Sequence, residues 1–259
     1  GMDVQWPGIM IKIKRENPSK SDISITEGSY MDRPHFVVTT ATVTYYYDKA
    51  GGGFSRIIDA HGNDWIRFKK EPWDQYPASA ASSYRGLPNL VFKSDPDSGA
   101  GHPGHDKCES KLVGNNKIKT LTKSGKWEWK WTFQNDTAVL EILKTNGDSP
   151  YWFLYEGTPG GKYIPEEYSY GTDVSGLNSD LPDFYKNTMK YGNFQWAYFN
   201  KEGVANTFYV AQVQKDDKID TISYLGNTEK GVESENGMSV FGFGRNKDTE
   251  AVLTGPNTF

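Results

Sequence analysis

The sequence has a single cysteine, Cys108, among 259 residues. One thiol cannot form an internal disulfide, so a small fold held together by disulfide bridges is excluded. No apolar stretch approaches the roughly 20 residues that cross a bilayer as a helix, so we predict no membrane span. Runs of basic residues are also missing, and the net charge is -4. Because nucleic acids are bound through concentrated positive charge, we expect no nucleic-acid partner.

Apolar residues at helical spacing are almost absent as well. Only residues 181–192, LPDFYKNTMKYG, have the features of a short helix, with Asp180 as the N-cap and Gly192 as the stop. The sequence contains no internal repeat, no low-complexity tract and no linker. We therefore expect one domain that spans residues 1–259.

Aromatic residues make up 14% of the chain, and glycine occurs 27 times. This composition favours strands and tight turns. Alternation of apolar and polar residues, which is typical of strands, recurs at 9–14, 35–48, 54–68, 126–144, 151–157, 193–214, 219–226 and 238–244. The pattern predicts an all-β protein, a single large antiparallel β-sandwich with long loops and at most one or two short helices.

Turn residues divide these segments into hairpins. Residues 54–68 read as two strands joined by a turn at 60–63, and residues 134–137 and 200–203 have the composition of hairpin turns. Two irregular regions remain, 70–87 together with 94–109, and 157–192. The second region is rich in tyrosine and phenylalanine, which favours an ordered loop over disorder. We expect it to form one wall of a cleft over the sheet.

The stretch KWEWKWTF places Trp127, Trp129, Trp131 and Phe133 on one face of a strand. Four rings in strict alternation would be oversized for one ligand, so we expect a stripe that faces the core. The alternative is a platform on which a sugar ring stacks.

The glycine-rich loop before residue 110 holds His102, His105 and Cys108. Three interpretations are open: a metal site, an idle loop, or a histidine that exchanges protons in a sugar site, because imidazole titrates near neutrality. Cys108 is interpreted as a small packing residue. We predict no protein-bound metal and no cofactor, and leave open a divalent cation that bridges protein and sugar.

Glu156 closes the apolar strand YWFLYEG, where Trp152 and Tyr155 flank it. Burial at such a position would suit a carboxyl group to acid or base chemistry, although a solvated strand-end glutamate is the alternative. Arg85 precedes the strand GLPNL and could clamp a uronate carboxylate with two hydrogen bonds, or cap a surface turn. His35 and His61 are interpreted as structural.

The order of the segments GGGFSRIIDAHGNDWIRF, YRGLPNLVF, the histidine loop and WKWTFQNDTAVLEI resembles the galactose mutarotase-like β-supersandwich, and most closely secreted bacterial proteins of that fold. The resemblance implies a sugar held on the concave sheet face, and it implies an extracellular or periplasmic location with the export signal removed. Members of this family include epimerases, sugar-binding domains, glycoside hydrolase domains and polysaccharide lyase domains. The His-x-Tyr-Phe-Asn strand that sugar mutarotases share is missing here, which argues against aldose 1-epimerase activity.

These features predict a carbohydrate-active protein that acts on an oligosaccharide or polysaccharide by acid/base chemistry. In glycoside hydrolysis, Glu156 would protonate the glycosidic oxygen, with His102 or His105 in the same cleft. In uronate β-elimination, His105 or Tyr163 would be the base and Arg85 would neutralise the carboxylate. Trp152, Tyr163 and Tyr168 are further candidates for sugar contacts. The alternatives are a non-catalytic glycan-binding protein and a structural assembly module, and the oligomeric state is not predicted.

Overall fold

The computed structural model describes residues 23–69, 85–179, 189–225 and 237–259. Strands, many of them with alternating burial of their side chains, recur throughout these ranges. Helical structure in these ranges is limited to two short 3₁₀ turns, Pro159–Gly161 and Pro165–Glu167. The strands are β1 (Ser24–Tyr30), β2 (Arg33–Thr39), β3 (Val43–Asp48), β4 (Gly53–Asp59), β5 (Cys108–Leu112), β6 (Lys117–Thr122), β7 (Glu128–Phe133), β8 (Ala138–Lys144), β9 (Phe153–Gly157), β10 (Tyr168–Thr172), β11 (Met189–Gly192), β12 (Trp196–Lys201), β13 (Phe208–Ala211), β14 (Asp220–Leu225) and β15 (Met238–Phe243).

The front layer of the sandwich consists of two antiparallel sheets joined by one extended segment. The sheets have the strand orders β1-β2-β3-β4 and β11-β14-β15-β9. Residues 86–91 lie between β4 and β9, where Leu87 bridges Phe54 and Gly86 bridges Glu156. The amide of Leu154 also donates to the Pro88 carbonyl at 2.6 Å. The two sheets therefore form one continuous layer, and β9 lies near its middle.

The back layer contains the sheets β5-β6-β7-β8 and β10-β12-β13. The C-terminal residues connect them, because the Phe259 amide donates to the Leu140 carbonyl at 2.9 Å and the Val213 amide donates to the Thr258 carbonyl at 2.9 Å. Both layers are antiparallel throughout their pairings. The predicted all-β sandwich is confirmed.

Aromatic side chains fill the space between the layers. The ring centroids of Phe54 and Trp131 are 4.7 Å apart, and those of Tyr155 and Phe199 are 5.2 Å apart. The alternating rings of the KWEWKWTF stretch are all buried. Their interpretation as a core stripe is confirmed, and Trp131 near one end of the stripe also lines a cavity of about 560 Å³ between the layers.

The hairpin turns at 60–63, 134–137 and 200–203 lie where the sequence predicts them. The second strand of 54–68 is reduced to one bridge between Ile58 and Asp64. The reason is local, because the Asp64 carboxylate accepts hydrogen bonds from the amides of Ile66 and Arg67 and turns the chain away from β4.

The helix predicted for 181–192 is wrong in its last turn. Residues 180–188 lie outside the described residues, but Met189–Gly192 forms strand β11, paired with β14. Pairing at a sheet edge overrides the local helical pattern there. The region 157–192 also contains strand β10, which was expected to be loop. The predicted strand at 9–14 and the irregular residues 70–84 lie outside the described ranges.

The helical segments in the described part of the chain are single short turns, and none of them has the length or apolar character needed to cross a membrane.

Candidate active site

Glu156 lies on the outer face of the front layer. Side chains alternate along β9, so Tyr155 points into the core between the layers and Glu156 points the opposite way. The Glu156 backbone is held on both sides, because it pairs with Val240 of β15 and exchanges hydrogen bonds of 2.8 and 3.0 Å with Gly86. The side chain retains 11% exposure. The carboxylate is therefore rigidly placed and still reachable from outside.

His102 contacts this carboxylate. Its Nε2 lies 3.3 Å from Glu156 Oε2, and its Nδ1 lies 2.7 Å from the Pro103 carbonyl oxygen. A carbonyl can only accept, so Nδ1 carries a hydrogen, and Nε2 and Oε2 then face each other as two acceptors unless a proton lies between them.

Asn89 fixes the orientation of the carboxylate from a second direction. Its Nδ2 donates to Oε2 of Glu156 at 2.9 Å. The Asn89 backbone has a φ of 46°, a left-handed conformation that asparagine tolerates better than most residues. Asn89 and His102 therefore both contact Oε2 of this carboxylate.

The loop that carries His102 packs directly against the front layer. A Cβ atom at position 86 would lie 2.5 Å from Pro103 Cδ and 3.2 Å from His102 Nε2, so glycine is required there. Asp48 anchors the far end of the loop by accepting from the Gly104 amide at 2.8 Å and from Arg33 Nε at 2.7 Å. These contacts show that the loop is packed against the sheet and is not a solvent-exposed loop.

The His105 ring packs edge-on against the His102 ring. The two ring centroids are 5.6 Å apart at 90°. Burial, with the positive charges of His102 and Arg33, lowers the pKa of His105 to about 4, so the ring is neutral near pH 7. Cys108 points away from both histidines, and burial raises the pKa of its thiol to about 12. Among the described residues no group of three potential metal ligands converges.

Arg245 lies on the same face as Glu156 and was missed by the sequence reasoning. Val240 is opposite Glu156, and Ser223 is opposite Val240, so the three side chains share one face of the sheet. Arg245 Nη1 donates to Ser223 Oγ at 2.8 Å. The guanidinium is buried, which lowers its pKa to about 10, and the Glu156 charge acts in the opposite direction. No ion pair joins Arg245 to a carboxylate of the described residues.

Trp152 lies four residues before Glu156 in the chain. Because side chains alternate along a strand, both point to the same face of the layer. Its indole packs edge-on against Phe92, with centroids 4.6 Å apart. It therefore borders the same face at some distance from the carboxylate.

Arg85, Tyr163 and Tyr168 lie on the other side of the front layer. Arg85 Nη2 donates to the Gly237 carbonyl at 2.6 Å, and burial together with the Arg67 charge lowers its pKa to about 10. Burial raises the pKa values of both tyrosines. Arg85 borders a polar cavity of about 670 Å³ that Glu156 does not line. The structure places Arg85 near Tyr163, Tyr168 and the core residue Tyr155, and none of the hydrogen bonds or ion pairs of the described residues joins these side chains to Glu156.

No protein-family model matches the sequence, and no curated protein matches it. Solved structures do resemble it. YeaD from Salmonella typhimurium, a candidate mutarotase, has a TM-score of 0.55 at 9% identity over 90% of this chain and 88% of its own. A galactose mutarotase-like protein from Lactobacillus casei ATCC 334 has a TM-score of 0.51 at 9% identity over 80% and 86%. The protein HI1317 has a TM-score of 0.53 at 7% identity over 93% and 98%. The chain therefore has the galactose mutarotase-like β-sandwich fold.

Proposed function

We propose that this protein cleaves uronate-containing glycans by β-elimination, with Glu156 and His102 as the proton-transferring pair. The observation that carries the proposal is the 3.3 Å contact between His102 Nε2 and the Glu156 carboxylate, which retains 11% exposure on the outer face of the front layer. A carboxylate in contact with an imidazole can accept a proton from a substrate carbon and later return it to a leaving oxygen, which are the two steps of general base and general acid catalysis.

The elimination uses the pair as follows. Ionised Glu156, held by the His102 imidazolium, removes the proton from the carbon next to the sugar carboxylate. The electron pair of that C–H bond forms a C=C double bond, and the C–O bond to the leaving sugar breaks. The leaving oxygen then takes the proton from Glu156, so that the pair returns to its starting state.

Arg245 supports a substrate that bears a carboxylate. Buried charges are normally paired with an opposite charge, yet the described part of the chain supplies this guanidinium with a hydroxyl partner, Ser223. A uronate carboxylate placed there would be paired with the cation, and the enolate-like intermediate would be stabilised by it. Arg245 takes the role that the sequence suggested for Arg85.

The fold supports a sugar as the ligand class, since similar structures are described as mutarotase-like. Hydrolysis of a glycoside usually needs a pair of carboxyl groups. The described side chains in contact with Glu156 are an imidazole and an amide, His102 and Asn89, which favours elimination over hydrolysis.

The test is incubation with polygalacturonate, alginate and chondroitin, with two readouts: ultraviolet absorbance of the unsaturated product and release of reducing ends. We expect absorbance with at least one polymer. Replacing Glu156 by Gln should lower the rate by about 100-fold or more, because general acid/base groups contribute about that much. The matched control is Glu250→Gln, which changes an exposed glutamate and should retain the rate.

Reducing ends without ultraviolet absorbance would show hydrolysis and overturn the elimination. Binding of uronate oligosaccharides in calorimetry with neither product would leave a glycan-binding protein and overturn the enzymatic proposal. A Glu156→Gln variant with the wild-type rate of absorbance would remove Glu156 from the mechanism.

A further inference from the structure

Three aromatic side chains lie on the outer face of the back-layer sheet β10-β12-β13. Trp196 and Tyr198 alternate along β12, and Tyr209 of β13 is directly opposite Tyr198. The residues between them, Ala197 and Val210, are buried in the core, so the three rings point outward. Tyr209 is 56% exposed. We call Trp196, Tyr198 and Tyr209 the aromatic platform.

The rings of the aromatic platform are close to parallel. Trp196 and Tyr198 have centroids 6.0 Å apart and planes inclined by 22°, and Trp196 and Tyr209 have centroids 6.2 Å apart and planes inclined by 36°. Tyr198 leans across the neighbouring strand, where a Cβ at Gly171 would come within 2.5 Å of its ring. Glycine at that position lets the ring lie against β10. Trp196 and Tyr198 are therefore stacked in part on one another, and Tyr209, tilted against Trp196, is the ring with an open face.

Hydrogen-bonding groups without net charge surround the rings. Lys215 Nζ pairs with Asp173 Oδ2 at 2.7 Å, which cancels both charges. Thr207 donates to Asn200 Oδ1 at 2.5 Å on the outer side of β12. Burial and the Asp173 carboxylate raise the pKa of Tyr209, so the ion pair is close to this ring. A neutral ligand with many hydroxyl groups suits this edge better than an ion.

The exposed area is too small for a stable protein partner. Aromatic side chains contribute about 150–250 Å² each, so the three partly exposed rings present roughly 300 Å² at most. A stable protein interface takes about 800 Å² from each partner. Pyranose rings, in contrast, have C–H faces of the size of one aromatic ring and stack on such faces.

We infer that the aromatic platform binds a neutral polysaccharide by stacking of successive pyranose rings on Trp196, Tyr198 and Tyr209. This surface is separate from Glu156. Tyr155 and Phe199 meet in the core between the layers, and their neighbours Glu156 and Tyr198 point away from each other. The two surfaces lie on opposite outer faces of the sandwich, so the inference stands without the proposed activity.

The test is affinity electrophoresis in gels that contain xyloglucan, mixed-linkage β-glucan or galactomannan, together with a pull-down on insoluble cellulose. We expect at least one polymer to retain the wild-type protein. Trp196→Ala and Tyr209→Ala should each weaken the apparent Kd by about tenfold or more, because each removes a stacking face. Tyr209→Phe keeps the ring and should bind like the wild type.

Two controls separate this result from other causes. Leu143→Ala removes an exposed apolar side chain of β8 and should leave binding unchanged. Glu156→Gln should also leave it unchanged, which distinguishes this surface from the proposed active site. Absence of retention by all four polymers, or equal retention of wild type and Tyr209→Ala, would overturn the inference. A concentration-dependent dimer that Tyr209→Ala dissociates would overturn it in favour of a second copy of the chain.

Discussion

His102 Nε2 lies 3.3 Å from Glu156 Oε2, although 54 residues of chain, nearly all of them in other strands and turns, separate the two positions. The contact depends on the extended segment 86–91. The backbone of this segment pairs with β9, and the missing side chain of Gly86 leaves room for the histidine loop. A change in that segment should therefore act on the contact between His102 and Glu156 without replacing either side chain.

Gly86→Ala tests this dependence. The added methyl group would clash with Pro103 and push the loop, with His102, away from Glu156. We expect a loss of stability of about 1–3 kcal/mol, typical of overpacking, and a fall in elimination rate beyond what lost folding explains. Urea unfolding and initial rates measure the two effects. Gly176→Ala is the matched control, because a Cβ there meets open space. Wild-type rate in a stably folded Gly86→Ala variant would show that the loop position is irrelevant.

Arg245→Met tests whether the buried guanidinium serves a ligand or the fold. Methionine replaces it with an apolar side chain that fits a buried site, so we expect a melting temperature at or above the wild-type value. Uronate affinity measured by calorimetry should fall by about tenfold or more.

The comparison for Arg245→Met is Arg56→Met, since Arg56 does hold a carboxylate, Asp64, at 3.1 Å. That substitution should lower stability and leave uronate affinity intact. If Arg245→Met lowers the melting temperature and keeps the affinity, then Arg245 is a structural residue.

The pH dependence of stability reports on His105. The pKa of this ring is about 4 in the folded protein, below the ordinary value of about 6.5, chiefly through burial. Between these values the unfolded chain binds a proton that the folded chain does not, so stability must fall as pH decreases through this window. The contribution of this ring to the slope cannot exceed about 1.4 kcal/mol per pH unit, because a single proton is involved.

Urea unfolding at several pH values between about 4 and 7 measures this slope. His105→Gln should flatten the curve in that window. His61→Gln, in the exposed turn at 60–63, should leave the slope unchanged. Parallel curves for the wild type and His105→Gln would contradict the burial of a neutral ring at this position.

Much of the fold follows from local patterns in the sequence. Alternation reveals strands such as β7, because one face is buried and the other is only partly buried. It does not reveal β5, CESKL, because Glu109, Ser110 and Lys111 put polar side chains on both faces of this strand. Nor does it reveal β11, where pairing with β14 decides the structure of a segment with helical spacing.

The candidate site was predictable only in part. The strand-end acid and the imidazole loop were both recognisable, and the structure brings Glu156 and His102 together. Arg85 shows the limit of such reasoning. It precedes Gly86 in the chain, and strand alternation sends its side chain to the side opposite Glu156. Which residue of a strand faces which sheet surface depends on pairing partners that are distant in sequence. Asn89 and Arg245 were missed for the same reason.

The most direct measurement is a crystal structure of the Glu156→Gln variant with a bound uronate oligosaccharide. We predict that the sugar carboxylate lies within about 3 Å of the Arg245 guanidinium. The carbon that loses its proton should lie about 3–3.5 Å from the side chain at position 156. A uronate bound at the Arg85 cavity, or one on the outer face with its carboxylate directed away from Arg245, would contradict the account.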